Sequence, residues 1–196
     1  AGVIGYSTSG FFSGRIMAKL GVGYMLAGSV LLTGLTLLGN TLVPSWYWWV
    51  GIAVFGGIGA GAIDSGLNTY MASHYGEHLM QWLHASYGVG VTMGPLIMTA
   101  GLNYFNTWRL GYQIVSGGQL LLALTFFLTV KMWTDHAPQA EDGEKKLHEY
   151  DTPIRATLAN PAAWVSVGLF LLYVGTEIAY GGWTYSILYE SRHVDK

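Results

Sequence analysis

The chain has 196 residues, of which 52% are hydrophobic and only 10% are charged. Soluble domains carry about a quarter of their residues as charged side chains, so this composition is typical of a membrane protein. The 28 glycines and eight tryptophans agree, because glycine is frequent in membrane helices and tryptophan favours their interfaces. A formal net charge of −2 argues against nucleic acid as a partner, and the lack of cysteine excludes disulfides and thiolate metal sites.

Six apolar segments follow one another along the chain, and a bilayer core is crossed by about 20 helical residues. They span residues 1–18, 22–43, 46–70, 82–105, 110–133 and 161–189. Pro44 closes the second segment, Gly94-Pro95 predicts a kink in the fourth, and Pro161 suits the first turn of the last. The sequence therefore predicts an all-α polytopic membrane protein.

The charged residues concentrate in one soluble stretch, residues 134–160, which predicts a loop. The lysines and arginines also divide unequally between the two sides of the membrane. One side carries Arg15, Lys19, Lys131, Lys145, Lys146 and Arg155, and the other carries Arg109, Arg192 and Lys196. Because cytoplasmic loops are richer in these residues, the long loop is expected in the cytoplasm. Both chain ends lie close to apolar sequence, so we expect a fragment of a longer protein.

The third segment carries small and polar residues on one helical face. Gly57, Gly61 and Asp64 are spaced four and three residues apart, and Asn68 continues the line one turn further on. Small residues on such a face allow another helix to approach closely. A carboxylate in lipid is costly unless it lines a cavity or meets a partner. The face predicts the wall of a polar pathway, and the alternative is a packing helix whose Asp64 braces a neighbour.

Further polar and aromatic residues in the apolar segments are candidate site residues. His84 and Tyr87 are three residues apart and share a helix face, where His84 either relays protons or braces the third segment. Glu177 is a second acid inside an apolar segment. Tyr173 and Trp183 either stack on the apolar face of a bound solute or serve in packing.

Asp64 and Asn68 have separate expected roles in such a site. A carboxyl group removed from water favours its neutral form, which suits reversible protonation. The Asn68 amide can hydrogen-bond to the hydroxyls of a solute or hold Asp64 in place.

A zinc-peptidase motif, H-x-x-E-H, occurs at His74, Glu77 and His78. That chemistry needs two histidines one turn apart on a continuous helix, together with a third ligand. Here the motif falls in a short polar link, residues 73–81, that contains Gly76. The sequence therefore predicts neither a metal site nor a cofactor.

Two features resemble the major facilitator transporters. The stretch from Gly10 to Lys19, with Gly14 and Arg15, is similar to a weakened form of the signature between that superfamily's second and third helices, with fewer Arg and Lys residues and no acid. The charged loop is similar to the linker between its two six-helix halves. The resemblance implies that residues 1–133 are the second to sixth helices of the first half. Residues 134–160 are then the cytoplasmic linker, and residues 161–196 the first helix of the second half.

Three motifs narrow the resemblance to the fucose permease-like sugar/proton symporters. Gly59-x-Gly61-x-x-Asp64-x-x-x-Asn68 is similar to their fourth helix. The run 83–90, continuing to Gly94-Pro95, is similar to their fifth, and the run 173–177, followed by Gly182-Trp183, looks like their seventh. The resemblance implies alternating access with the solute bound near the bilayer midplane.

The resulting expectation is a secondary transporter of a sugar or similar polyhydroxylated solute in the plasma membrane, coupled to protons and not an enzyme. Its expected partners are the solute, protons, the lipid bilayer and the remainder of the transporter chain. The expected solute- and proton-binding residues are Asp64, Asn68, His84, Tyr87, Tyr173, Glu177 and Trp183. Two alternatives stay open: an efflux carrier for an amphipathic drug or lipid-like solute, and a membrane metallopeptidase built on His74, Glu77 and His78.

Overall fold

The structure, a computed structural model, describes residues 1–133 and 154–191, and these form an all-α protein. The first five helices, α1 to α5, are Gly2–Leu20, Val22–Leu42, Trp46–His74, Glu77–Phe105 and Arg109–Leu128, and a 3₁₀ turn, Val130–Trp133, follows them. Helix α6 is Ile154–Ala159, and α7 is Pro161–Ser186 with a π-helical continuation, Ile187–Ser191. Helices α1 to α5 belong to one compact unit and α6 and α7 to another, and each unit is described by itself.

Four helices of the described ranges are long and apolar enough to cross a membrane, at 22–42, 46–74, 109–128 and 161–184. The sequence predicted six such segments, and the other two correspond to α1 and α4. Both are helices of sufficient length, with 19 and 29 residues. They are less apolar, because α1 contains Arg15 and Lys19 beside several hydroxyl side chains, and α4 begins with Glu77 and His78.

The polar link predicted between the third and fourth segments is shorter than expected. Helix α3 continues to His74 and α4 begins at Glu77, which leaves only Tyr75 and Gly76 between them. The predicted bounds of the link, residues 73–81, were therefore wrong. The polar residues extend the helices instead, and the Ser73 hydroxyl donates to the Thr69 carbonyl one turn back at 2.7 Å.

The predicted loop at 134–160 falls mostly outside the described residues, which resume at Ile154. From there to Ala159 the chain forms the short helix α6, where the sequence predicted loop. Helix α7 begins at Pro161 as predicted, and Asn160 caps it by accepting a hydrogen bond at Oδ1 from the Ala162 N–H at 3.0 Å.

Helices α1 and α3 lie in backbone-to-backbone contact. A Cβ atom added to Gly57 would overlap with the Gly2 carbonyl of α1, and one added to Gly61 would overlap with the Tyr6 carbonyl. Because residues further along α1 meet residues further along α3, the two helices run parallel. Parallel packing at this distance is possible only while these positions lack side chains.

Helix α2 runs antiparallel to α3 and α5 and is the most buried of the four apolar helices. Leu26 and Val30 of α2, together with Ser116 of α5, are the largest fully buried side chains among the described residues. The Ser116 hydroxyl donates to the Gly34 carbonyl at 2.8 Å and thereby fastens α5 to α2.

Aromatic side chains gather at both ends of this unit. At one end the ring of Trp49 lies 6.0 Å from that of Tyr112, and its Nε1–H donates to the Asn40 carbonyl at 3.1 Å. At the opposite end the rings of Tyr70 and Trp133 lie 5.5 Å apart. Tryptophan and tyrosine favour the two membrane–water interfaces, so aromatic clusters at opposite ends of the unit are expected of a bundle that spans a membrane.

Replacement of Gly61 by alanine should destabilise this unit, because the new methyl group would overlap with the Tyr6 carbonyl oxygen. Overpacking of this kind costs about 1–3 kcal/mol, which thermal unfolding of the purified protein in detergent measures as a lower Tm. The matched control is Gly51→Ala on the same helix, where nothing lies within 4 Å of the added Cβ. That control should melt at or above the wild-type temperature, because alanine favours helix. Equal melting of the two variants would contradict the close approach of α1.

Candidate functional site

Asp64 joins α3 to α1 through its carboxylate. Oδ2 accepts a hydrogen bond from the Tyr6 hydroxyl, and Oδ1 accepts one from the Asn68 side-chain amide at 2.9 Å. The same amide nitrogen donates to the Asp64 backbone carbonyl at 2.8 Å. Each carboxylate oxygen thus has its own donor, which suits the ionised group because it can only accept.

The glycines of α3 explain why a tyrosine from another helix reaches this carboxylate. Gly61 lies one helical turn before Asp64, at the point where the Tyr6 backbone carbonyl touches α3. Ser9 lies at the same contact and is buried, and its hydroxyl donates to the Tyr6 carbonyl at 3.1 Å. With the backbones this close, the phenol of Tyr6 spans the remaining turn to Asp64.

The cluster is open on one side. Asp64 is exposed, Asn68 is half-buried, and Tyr6 keeps 42% of its surface accessible. Tyr87 of α4 is also exposed and contributes to the electrostatic environment of Tyr6, with no hydrogen bond or ring contact to it in the described ranges. A carboxylate that stays accessible is expected in the wall of a cavity. A carboxylate that is hydrogen-bonded to a tyrosine of another helix is expected in a structural brace. Both interpretations of Asp64 therefore have an observation in their favour.

His84 does not join the cluster in the part of the chain that is described. It is exposed and forms no hydrogen bond, ion pair or ring contact with any residue of the ranges 1–133 and 154–191. The structure thus joins Tyr6, Asp64 and Asn68, and leaves His84 and Tyr87, one turn apart on α4, without a hydrogen bond to this cluster in the described ranges.

The remaining candidates lie on α7, in the second unit. Tyr173, Glu177 and Trp183 are exposed, and their side chains form no hydrogen bond within the described ranges. Tyr173 and Glu177 are four residues apart and share a face, whereas Trp183 follows Glu177 by six positions, about 120° around the helix. Tyr173 and Trp183 are ten positions apart, about 15 Å along α7 and about 80° around it, so they do not form a single stacking face.

The residues of the zinc motif are divided between two helices. His74 is the last residue of α3, and Glu77 and His78 lie in the first turn of α4. The His74 ring stacks on Tyr70 at 4.4 Å, and its Nδ1 bonds to the Tyr70 carbonyl at 3.0 Å. Within the described residues, no group of three or more His, Cys, Asp or Glu side chains is placed to hold a metal ion.

Sequence reasoning missed Tyr6, which lies in the first apolar segment among many other aromatic residues. A signal was present in its neighbours. Gly2, Gly5 and Ser9 follow one another at spacings of three and four, so α1 has a small-residue face of its own, and Tyr6 adjoins that face. Pairing this face with the glycine face of α3 points to Tyr6 as a neighbour of Asp64.

Comparison with known proteins supports the fold and the kind of activity. Neither the curated proteins nor the solved structures contain a match to this chain. The family model of the Major Facilitator Superfamily, in contrast, matches residues 1–195. Proteins of this superfamily are in general secondary transporters of small solutes and not enzymes. With its apolar helices and a match over nearly its whole length, this chain belongs to the major facilitator superfamily and is an integral membrane protein.

Proposed function

We propose that this carrier transports a sugar or a similar polyhydroxylated solute across the plasma membrane by alternating access, and that it is coupled to protons. Membership of the superfamily makes it a secondary transporter. The solute class and the coupling ion are the proposal. Its main support is a single observation, the hydrogen-bonded and accessible carboxylate of Asp64 on an otherwise apolar helix.

Coupling follows from the cost of moving a charge through a medium of low dielectric constant. An ionised carboxylate in the membrane is expensive, and the cost falls when a proton neutralises it. A proton taken up from one side by Asp64 and released to the other therefore changes which helix arrangement is favoured. No other acid of α1 to α5 lies inside an apolar helix, since Glu77 is at the start of α4.

The preference for hydroxylated solutes rests on the groups that stay accessible. The Asn68 amide and the Tyr87 phenol offer both donors and acceptors, which a sugar requires around its ring. In the second unit, Glu177 supplies a charged acceptor, and the exposed rings of Tyr173 and Trp183 supply aromatic faces. Binding sites for small molecules combine apolar walls with a few such polar groups.

Asp64→Asn should abolish proton-driven accumulation of the solute in the full-length protein and leave counterflow of bound solute in place. The substitution keeps the size of the side chain and removes its titratable proton. Uptake driven by a pH gradient, measured beside counterflow in vesicles with a panel of sugars, checks this result. Glu77→Gln, the same kind of change at the start of α4, is the control and should behave like wild type. If Asp64→Asn accumulates solute as wild type does, Asp64 is a structural brace.

Glu177→Gln should mainly weaken solute binding. Hydrogen bonds to a charged acceptor are about twice as strong as those to a neutral one, so the affinity should fall about five- to thirtyfold. Solute titration of the purified protein measures the loss. Glu190→Gln, at the π-helical end beyond α7, is the matched control and should retain wild-type affinity. Unchanged affinity in Glu177→Gln would remove this acid from the proposed site.

The metallopeptidase alternative is tested by metal analysis. Purified protein should hold no stoichiometric zinc, because the two histidines of the motif lie on different helices. His74→Ala combined with His78→Ala should leave transport largely intact. Stoichiometric zinc that disappears in the double variant would favour the peptidase instead. Outward movement of an amphipathic dye, without sugar uptake, would favour the efflux carrier.

A further inference from the structure

The two residues that donate hydrogen bonds to the Asp64 side chain lie on different helices. Asn68 is on the same helix four residues later, so its bond to Oδ1 moves with Asp64. Tyr6 comes from α1, and its bond to Oδ2 lasts only while α1 stays against α3. It is also the only side-chain hydrogen bond between these two helices in the described part of the chain.

The two carboxylate oxygens also differ in their capacity to carry a proton. The Asn68 amide nitrogen faces Oδ1 and is fixed there by its second bond, to the Asp64 carbonyl. That nitrogen can donate and cannot accept, so a proton on Oδ1 would meet a second donor. A phenol hydroxyl both donates and accepts, so a proton on Oδ2 finds an acceptor in Tyr6.

We propose that Tyr6 is a positioning residue that directs protonation of Asp64 to Oδ2 and ties it to the packing of α1 on α3. This inference rests on the proposed function, in which Asp64 carries the coupled proton. In the ionised state the Tyr6 hydroxyl donates to Oδ2. When a proton from water binds Oδ2, the new O–H donates, and Tyr6 keeps its own proton and turns from donor to acceptor.

Tyr6 is the described residue that is placed to exchange its hydrogen bond with Oδ2 of Asp64. Among the described residues, the titratable groups of the cluster are Asp64 on α3 and Tyr6 on α1, and Tyr87 on α4 adds an electrostatic influence on Tyr6 without a hydrogen bond to either. No lysine, arginine or histidine of α1, α2 or α4 forms an ion pair with Asp64 in this part of the chain. The neighbouring contact at Gly61 is made by the Tyr6 backbone carbonyl and the short side chain of Ser9.

Tyr6→Phe in the full-length protein tests the inference through the pH dependence of transport. The ring remains and only the hydroxyl is lost, so transport should persist while its pH profile is displaced from that of wild type, because Asp64 has lost one of its two hydrogen-bond donors. In the Asp64→Asn background the same change should not alter the profile of counterflow. Tyr24→Phe on α2 is the matched control, because Tyr24 is 57% exposed and forms no side-chain hydrogen bond in the described ranges.

Infrared spectroscopy of the purified protein gives a second measurement that does not depend on transport. The C=O band of protonated Asp64 is the one that Asp64→Asn removes. In Tyr6→Phe its frequency should rise, because the carboxyl O–H has lost its acceptor. Tyr24→Phe should leave the band in place.

The outcomes separate this inference from the proposed function. If Asp64→Asn uncouples transport while Tyr6→Phe matches wild type in pH profile and infrared band, the role of Tyr6 is overturned and the function stands. A shift of the profile that persists in the Asp64→Asn background overturns it as well. If wild type shows no proton-driven uptake at any pH, the proposed function fails and this inference fails with it.

Discussion

The contact of α1 with α3 is the constraint on which the site depends. Lipid provides no hydrophobic force between helices, so their association relies on close packing and on hydrogen bonds. Gly57 and Gly61 allow the close packing, because a Cβ at either position would overlap with the backbone of α1. The hydrogen bond comes from Tyr6, which donates to Asp64 one turn further along α3. The same few residues thus hold the two helices together and form the candidate site. A substitution that loosens the packing therefore also displaces the site.

Polar side chains in this bundle divide into two kinds. Most serine and threonine hydroxyls bond to a carbonyl one turn back on their own helix, as Thr36 does with Leu32 at 2.8 Å and Ser65 with Gly61 at 2.6 Å. Such bonds satisfy a polar group in the membrane without linking helices. Asp64 differs because one of its oxygens is bonded across to another helix while the group stays accessible. This separates it from the structural polar background and makes it the strongest candidate for a functional group.

The sequence predicted the all-α class and the positions of the apolar helices, because long apolar runs closed by proline and polar residues leave few alternatives. It also predicted the face shared by Gly57, Gly61 and Asp64, since periodicity reports neighbours on one helix. It could not provide the partner of that face, because Tyr6 lies 58 residues from Asp64 along the chain. The extent of the link at Tyr75 and Gly76 was also missed, because polar residues at a helix end resemble a loop.

Brace and proton site are compatible descriptions of Asp64. A bound proton shifts the balance between two conformations only by the difference in its affinity for them. A carboxylate hydrogen-bonded within its own helix would bind a proton almost equally well in both, and would couple nothing. A carboxylate whose second donor belongs to another helix binds it differently when that helix is present and when it has moved. The interhelical bond from Tyr6 is therefore the feature that would allow protonation of one residue to change the packing of a whole helix.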